Sequence, residues 1–447
     1  MKVKVWRKAL AASVLLALAA TTSATSAAET APADEVNTFT LANGMKFIVL
    51  ESHSIPNANM YTFWKVGSRN EAPGITGLSH FFEHMMFNGS KHFGPKMFDR
   101  TMEAKGGSNN AYTSNDVTVY QDWFPASSLE TIFTLESDRI AHLNIDPKMV
   151  ASERGVVLSE RSTGLENSNL RALQEAVSGV AFQAHPYSWP VIGHESDIKA
   201  WTQQDLEHYF KTYYAPNNAV AVIVGDVKVD QVKKLATRYF GKIPKGAPPP
   251  PVRTVEPPQT GERRVFVTKE SATSPNLAIA FKVPAANSPD HYALEVLQSL
   301  LADGKTSRLY KALVEQQLAT QVAAYGADGF DPGLMYVLAV AAAKVEPATL
   351  EKAVLAELDK VVKDGVTAEE LDKVRNQKLV NLYREQETIN GKAQNLGNYE
   401  VFFGDYRKMY DAPAAYARLT PADIQAVAAK YLKKSQRTVG VLAAKED

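Results

Sequence analysis

The chain has 447 residues, 45% of them apolar, and no cysteine. It can bury more than one core, but disulfide bridges, a thiolate nucleophile and cysteine-ligated metals are excluded. Its 49 basic and 49 acidic residues balance, so it has no basic surplus of the kind that binds nucleic acid, and no such partner is expected.

The amino terminus places Lys2, Lys4, Arg7 and Lys8 ahead of an apolar run over 9–20 and small residues at Thr25 to Ala28. That order is a secretory signal peptide, residues 1–28, cleaved after Ala27 or Ala28, and it implies a periplasmic chain. Loss of the leader leaves 45 basic against 49 acidic groups, and nothing in the mature part approaches the ~18 apolar residues of a membrane span. An oxidising compartment also suits a chain without thiols.

Strands are expected over 37–41 and 45–50, joined by Asn43-Gly44, a dipeptide suited to a tight hairpin. The segment from Gly77 to Phe87 is apolar apart from Ser79, His80, Glu83 and His84. At i, i+3 and i+4 of a helix, the last three share one face, which would be costly to bury without a cation. Two imidazoles and a carboxylate at this spacing supply two metal ligands and a base, so a third ligand must come from elsewhere. Glu153 and Glu160, seven residues apart in the stretch from Ser152, lie on one helical face, and one of them can be that ligand. Between these segments, Gly106 to Tyr120 reads by itself as a Gly-led hairpin with alternating Val and Tyr.

His80-Phe-Phe-Glu83-His84 with a distant Glu resembles the inverzincin zinc peptidases: pitrilysin, insulysin and the mitochondrial processing peptidase. The resemblance spans nearly the whole mature chain. It implies one Zn2+ per chain held by His80, His84 and Glu160, since Glu160, 76 residues past His84, stands at the family's distance. It makes Glu83 the general base, taking a proton from the attacking water and passing it to the leaving amine. Glu153 matches the family's second acidic position and is read as orienting a ligating His, although its spacing fits a helix-surface ion pair equally well. Asn110, Ala111 and Tyr112 resemble the family's cleft strand and are the candidate substrate contacts, an exposed edge that pairs with extended peptides. The implied activity is a zinc metalloendopeptidase acting on oligopeptides or unfolded segments. The alternative is a non-catalytic structural or regulatory subunit of a peptidase-like complex, which the intact motif argues against.

A proline-rich linker at 244–261 divides a catalytic domain, 35–243, from a second domain, 262–445. Asn59 to Val66 is similar to Asn276 to Val283, and Thr202, Asp205 and Tyr213 parallel Thr420, Asp423 and Tyr431, so the halves are an internal duplication. Strands followed by helices and a returning strand make each half an α+β layer domain with a mainly antiparallel sheet, the pair forming a clam-like cleft. In the second half Glu295, Gln298 and Ser299 stand opposite His80, Glu83 and His84, which removes the metal set and leaves this half as the other wall. The stretch 367–387 is expected to be a solvated helix behind a capping box, and the remaining histidines, His53, His92, His142, His185, His194, His208 and His291, carry no assigned chemistry.

Relatives place an Arg and a Tyr in a non-catalytic half to grip the substrate carbonyl. Here Leu313 and Thr320 occupy those positions, and Arg308 and Tyr310 have the wrong spacing. The family's pairing of two-domain chains therefore implies a dimer, in preference a heterodimer with a zinc-free homologue that supplies the Arg/Tyr pair.

Overall fold

A computed structural model describes residues 35–444; the leader expected at 1–28 lies outside them. The first half runs β1 (Asn37–Thr40), β2 (Lys46–Glu51), β3 (Asn57–Trp64), α1 (Leu78–Met85), α2 (Met97–Ala104), β4 (Ser108–Thr113), β5 (Thr118–Pro125), α3 (Leu129–His142), α4 (Pro147–Asn167), α5 (Asn169–Ala181), α6 (Glu195–Ala200), α7 (Gln203–Tyr213), β6 (Ala219–Gly225) and α8 (Val229–Tyr239). The second half runs β7 (Arg263–Thr268), β8 (Asn276–Val283), α9 (His291–Ala302), β9 (Ala319–Gly326), β10 (Gly333–Ala341), α10 (Pro347–Asp364), α11 (Ala368–Gln386), α12 (Ile389–Phe403), α13 (Lys408–Arg418), α14 (Pro421–Tyr431) and β11 (Arg437–Ala443).

The strands form two sheets, ordered β1-β2-β6-β3-β5-β4 and β7-β11-β8-β10-β9. Leave out β1 and the two orders are the same, strand for strand. Each sheet has one parallel pair in the same place, β2 with β6 and β7 with β11, and its other pairs are antiparallel. The fold is therefore α+β and duplicated. The matched Thr signals also recur as capping boxes: Asp205 accepts from Thr202 N at 2.8 Å, and Asp423 from Thr420 N at 2.8 Å.

Central strand β6 is buried along its whole length, because both edges are paired and both faces covered. Ala221 and Ile223 face the main core of the first half, with Phe47, Phe81, Phe82 and Phe133. Val220, Val222 and Val224 face the other way, onto Ala393 and Leu396 of α12. The second sheet mirrors this: Leu277, Ile279 and Phe281 of β8 face their own core, while Ala278 and Ala280 meet Leu173 and Val177 of α5. Each half thus lends a helix to the back of the other's sheet. The fit is close, since a Cβ on Gly397 would lie 2.0 Å from the Phe63 ring and one on Gly440 2.3 Å from Val177. Burying each large apolar side chain there contributes roughly 1.5–3 kcal/mol, so neither sheet is complete without its partner.

Polar ties lock the same seam. Lys269 Nζ donates to Leu165 O and Asn169 Oδ1, both at 2.9 Å, and Lys46 pairs with Glu400 at 2.6 Å. Glu256, in the proline-rich segment, accepts from three successive backbone N–H groups, those of Gln183, Ala184 and His185, at 2.9–3.0 Å. Helix α11, read from its charges as solvated, buries Leu371 and Val374 beneath its charged face. No helix among the described residues is long and apolar enough to cross a membrane.

Candidate metal centre

Helix α1 starts abruptly. Gly77 precedes it at φ 90°, a conformation that costs a side-chain-bearing residue energy, and a Cβ there would lie 2.4 Å from Ile192 O. Glycine cannot cap a helix with a side chain, so Glu71 does it from a distance, accepting from Gly77 N at 2.7 Å and Ser79 N at 2.8 Å. Complete burial pushes Glu71 up to about 8. Phe81, Phe82 and Met85 anchor the apolar face of α1, which turns His80, Glu83 and His84 toward α4 and β4. Helix α4 is capped by Asp146, which accepts from Lys148 N at 2.9 Å, and it presents Glu153 and Glu160.

The two imidazoles converge on one carboxylate oxygen. His80 Nε2 lies 3.7 Å and His84 Nε2 3.5 Å from Glu160 Oε2. These separations are long for hydrogen bonds. A cation bound at ~2.0–2.2 Å with tetrahedral angles keeps its ligand atoms about 3.4 Å apart, so the donor set has the chemistry and spacing of a zinc site. His84 Nδ1 meets Glu153 Oε1 at 2.7 Å, and Glu153 Oε2 also accepts from Asn88. His80 Nδ1 is buried without a hydrogen-bond partner among the described residues.

The electrostatics follow from this geometry. Burial and then the neighbouring His84 push His80 down to about 4. Burial also opposes charge on His84, but Glu153 and Glu160 outweigh it and hold His84 up at about 9. Contact with His84 lowers both Glu153 and Glu160. Glu83 is raised, chiefly by burial, against the opposing hydrogen bond from Thr113 Oγ1 at 2.5 Å.

Asn110, Ala111 and Tyr112 lie on β4, the edge strand of the first sheet, which among the described residues is paired only with β5. Their side chains divide between the faces. Ala111 packs on the core beneath α1, as its neighbours Asn109 and Thr113 reach Asp99 and Glu83. Tyr112 points the other way, its OH accepting from Gln394 of α12 at 2.8 Å, and Asn110 shares that face by strand alternation. Beside Glu160, Arg171 Nη2 lies 4.0 Å from Oε1. It also borders a cavity of about 400 Å³ at the seam of the halves, lined by Asp116, Phe182, Tyr187, Tyr325 and Tyr336 among others. Glu71, Thr113 and Arg171 were not singled out by sequence reasoning, and no spacing rule links them to the motif.

In the second half Glu295 accepts from Tyr416 OH, Gln298 Oε1 accepts from Gly326 N at 2.9 Å, and Ser299 is buried. Leu313 is buried in the second core and Thr320 lies exposed on β9. Arg308 pairs with Glu370 at 2.8 Å and donates to Gly365 O, fastening the start of α11.

The profile described as "Insulinase (Peptidase family M16)" matches residues 46–195, and that of the "Peptidase M16 inactive domain" matches 200–378. The chain belongs to peptidase family M16. A relative in the family, the zinc protease PqqE of Helicobacter pylori, is 31% identical over 89% of this chain and 90% of its own length. The probable β subunit of the mitochondrial-processing peptidase of Arabidopsis thaliana is 26% identical over 90% of this chain and 77% of itself. Among solved structures, a protease from Helicobacter pylori superposes with a TM-score of 0.89 at 30% identity, covering 91% of this chain and 99% of that one. The periplasmic protease PqqL of Escherichia coli shares the fold, with a TM-score of 0.76 at 19% identity over 92% of this chain and 48% of its own.

Proposed function

We propose that this M16 chain is a periplasmic zinc-dependent endopeptidase that cuts extended oligopeptides or unfolded segments. The observation that supports it best is the convergence of His80, His84 and Glu160, with Glu83 one residue away from His84 and Glu153 behind it. His80, His84 and Glu160 would hold one zinc ion. When bound, zinc supplies Lewis acidity, polarising the scissile carbonyl and making water a nucleophile near neutrality. Glu153 holds the His84 ring through Nδ1, so that Nε2 faces Glu160. The Glu83 carboxylate takes a proton from the attacking water and delivers it to the departing amine nitrogen, and burial raises its basicity for that task. The unpaired edge of β4 binds the peptide backbone by strand addition, which suits many sequences. Asn110, Ala111 and Tyr112 take part chiefly through that backbone.

Arg308 is committed to Glu370, and Leu313 and Thr320 offer no Arg or Tyr, so this chain acts as the metal-bearing subunit of a dimer, in preference a heterodimer whose zinc-free homologue supplies the pair. Metal analysis, sizing and cleavage of a fluorogenic peptide by the purified chain, alone and with Glu83→Gln, test this reading. Stoichiometric zinc and Glu83-dependent cleavage are expected, while a metal-free, inert chain in every assembly would favour the non-catalytic subunit.

A further inference from the structure

Glu83 is held by one hydroxyl, that of Thr113, the last residue of β4. Directly beyond it the chain turns through Ser114 to Val117 into β5, closed by Ser114 N donating to Val117 O at 2.8 Å. The turn is gripped from the first half by the short helix at 68–70: Arg69 N donates to Asn115 O at 2.8 Å, and Asn115 Nδ2 to Ser68 Oγ at 3.0 Å. Arg69 then reaches across the seam. Its guanidinium lies 3.2 Å from Asp116 Oδ1 and donates through Nε and Nη2 to Asp331 Oδ2, at 3.0 and 2.5 Å, in the loop between β9 and β10. Tyr187 OH donates to both Asp116 oxygens at 2.7 and 2.8 Å and accepts from Asp331 N at 3.3 Å, and His185 Nε2 meets Asp331 Oδ2 at 3.1 Å. Asp116 and His185 are almost wholly buried, so these charge-assisted bonds are protected from the solvent that weakens surface pairs.

A hydroxyl that sets the direction of a general base is useful only if its own strand end stays still, because a displacement of about 1 Å at such a site can cost about 100-fold in rate. The end of β4 lies on an edge strand whose backbone is paired with β5 on one side, so its position depends on side-chain contacts and on the turn that follows it. We infer that Thr113 is the positioning residue for Glu83, and that Asp331 of the second half, through Arg69 and the Asp116 turn, holds Thr113 in place. The half without the metal motif thereby acts on the chemistry of the other half without touching the ligands. This rests on Glu83 being the general base.

The test uses the full chain with its zinc and whatever subunit its activity requires. Thr113→Val keeps the shape but removes the hydroxyl, and Thr113→Ser restores it. Thr113→Val is expected to lower kcat about 10-fold to 100-fold with KM and zinc content unchanged, the scale of loss typical when an orienting partner is removed, and Thr113→Ser to recover most of it. Asp331→Asn should lower kcat in the same direction, and adding it to Thr113→Val should cost nothing further, because both act along one path. Independently of activity, amide hydrogen exchange over 113–118 in the zinc-free chain should quicken in Asp331→Asn and return toward the parent rate in Asp331→Glu. Wild-type kcat in Thr113→Val, additive losses in the double variant, or unchanged exchange in Asp331→Asn would each overturn the inference. An inert parent chain, or a Glu83→Gln variant as active as its parent, would instead overturn the underlying peptidase reading.

Discussion

Helices α1 and α9 occupy equivalent places beside two sheets of the same strand order, yet their polar faces are in opposite states. On α9 the polar groups are satisfied within their own half: Gln298 accepts from Gly326 N, and Glu295 accepts from Tyr416 and lies 3.5 Å from His291. On α1 the two imidazole Nε2 atoms face a carboxylate oxygen at distances that suit a shared cation better than hydrogen bonds. The scaffold therefore provides a position, and a handful of side chains decide whether it is closed by internal bonds or left open for a metal. The strand beside each helix tells the same story. Gly326 of β9 binds Gln298 through its backbone, whereas Thr113 of β4 orients Glu83 through a side chain.

Disabling the open site should have the largest effect. His80→Ala with His84→Ala removes two of three ligands, so zinc and turnover should both vanish, as metal analysis and a peptide assay will show; near-full zinc occupancy would refute the ligand assignment. Glu83→Gln should retain zinc while losing about 10²–10⁴-fold in turnover, the usual share of general acid–base catalysis. Glu153→Gln should be milder, about 10-fold to 100-fold in zinc affinity or activity, because it replaces the charged partner of the His84 ring by a weaker, neutral acceptor without removing a ligand.

Metal uptake should depend on pH in a direction set by His84. Its pKa in the metal-free chain is raised to about 9, so at neutral pH it is protonated and must lose that proton to bind a cation. Affinity should accordingly strengthen as pH rises and level off above about 9, with close to one proton released per zinc near pH 7.5; calorimetry in buffers of different ionisation enthalpy measures that number. Smaller effects test the symmetry of the halves. Gly397→Ala and Gly440→Ala each crowd an exchanged helix against the opposite sheet and should cost roughly 1–3 kcal/mol of stability by thermal unfolding. A harmless substitution at either place would show that the exchange is not equally tight on both sides. Least of all, Gln298→Ala should leave turnover unaltered and cost about 1 kcal/mol for its lost hydrogen bond.

Much of the fold was legible because its signals are local. The Thr202 and Thr420 capping boxes, the alternation within the strands and the matched segments on either side of the proline-rich stretch each depend on a few neighbouring residues, and together they announced a duplicated α+β chain. The α11 stretch was less transparent: its surface charges hid the buried Leu371 and Val374, because only the packed neighbours reveal which face is covered. The three candidate substrate contacts also read as a unit in sequence, although pleating sends Ala111 and Tyr112 to opposite faces.

By itself the sequence determined that His80, Glu83 and His84 share a helical face, since 3.6 residues per turn makes that a matter of spacing, and its resemblance to a family singled out Glu160 at a distance no local rule reaches. Only the tertiary structure decided that Glu71 caps that helix, that Thr113 holds Glu83, that α5 and α12 cross to the opposite sheets, and that Asp331 bridges to the turn behind the base. The three hydrogen bonds among these contacts join residues 6 to 262 positions apart, and no periodicity along the chain records which distant groups meet when two cores close on each other.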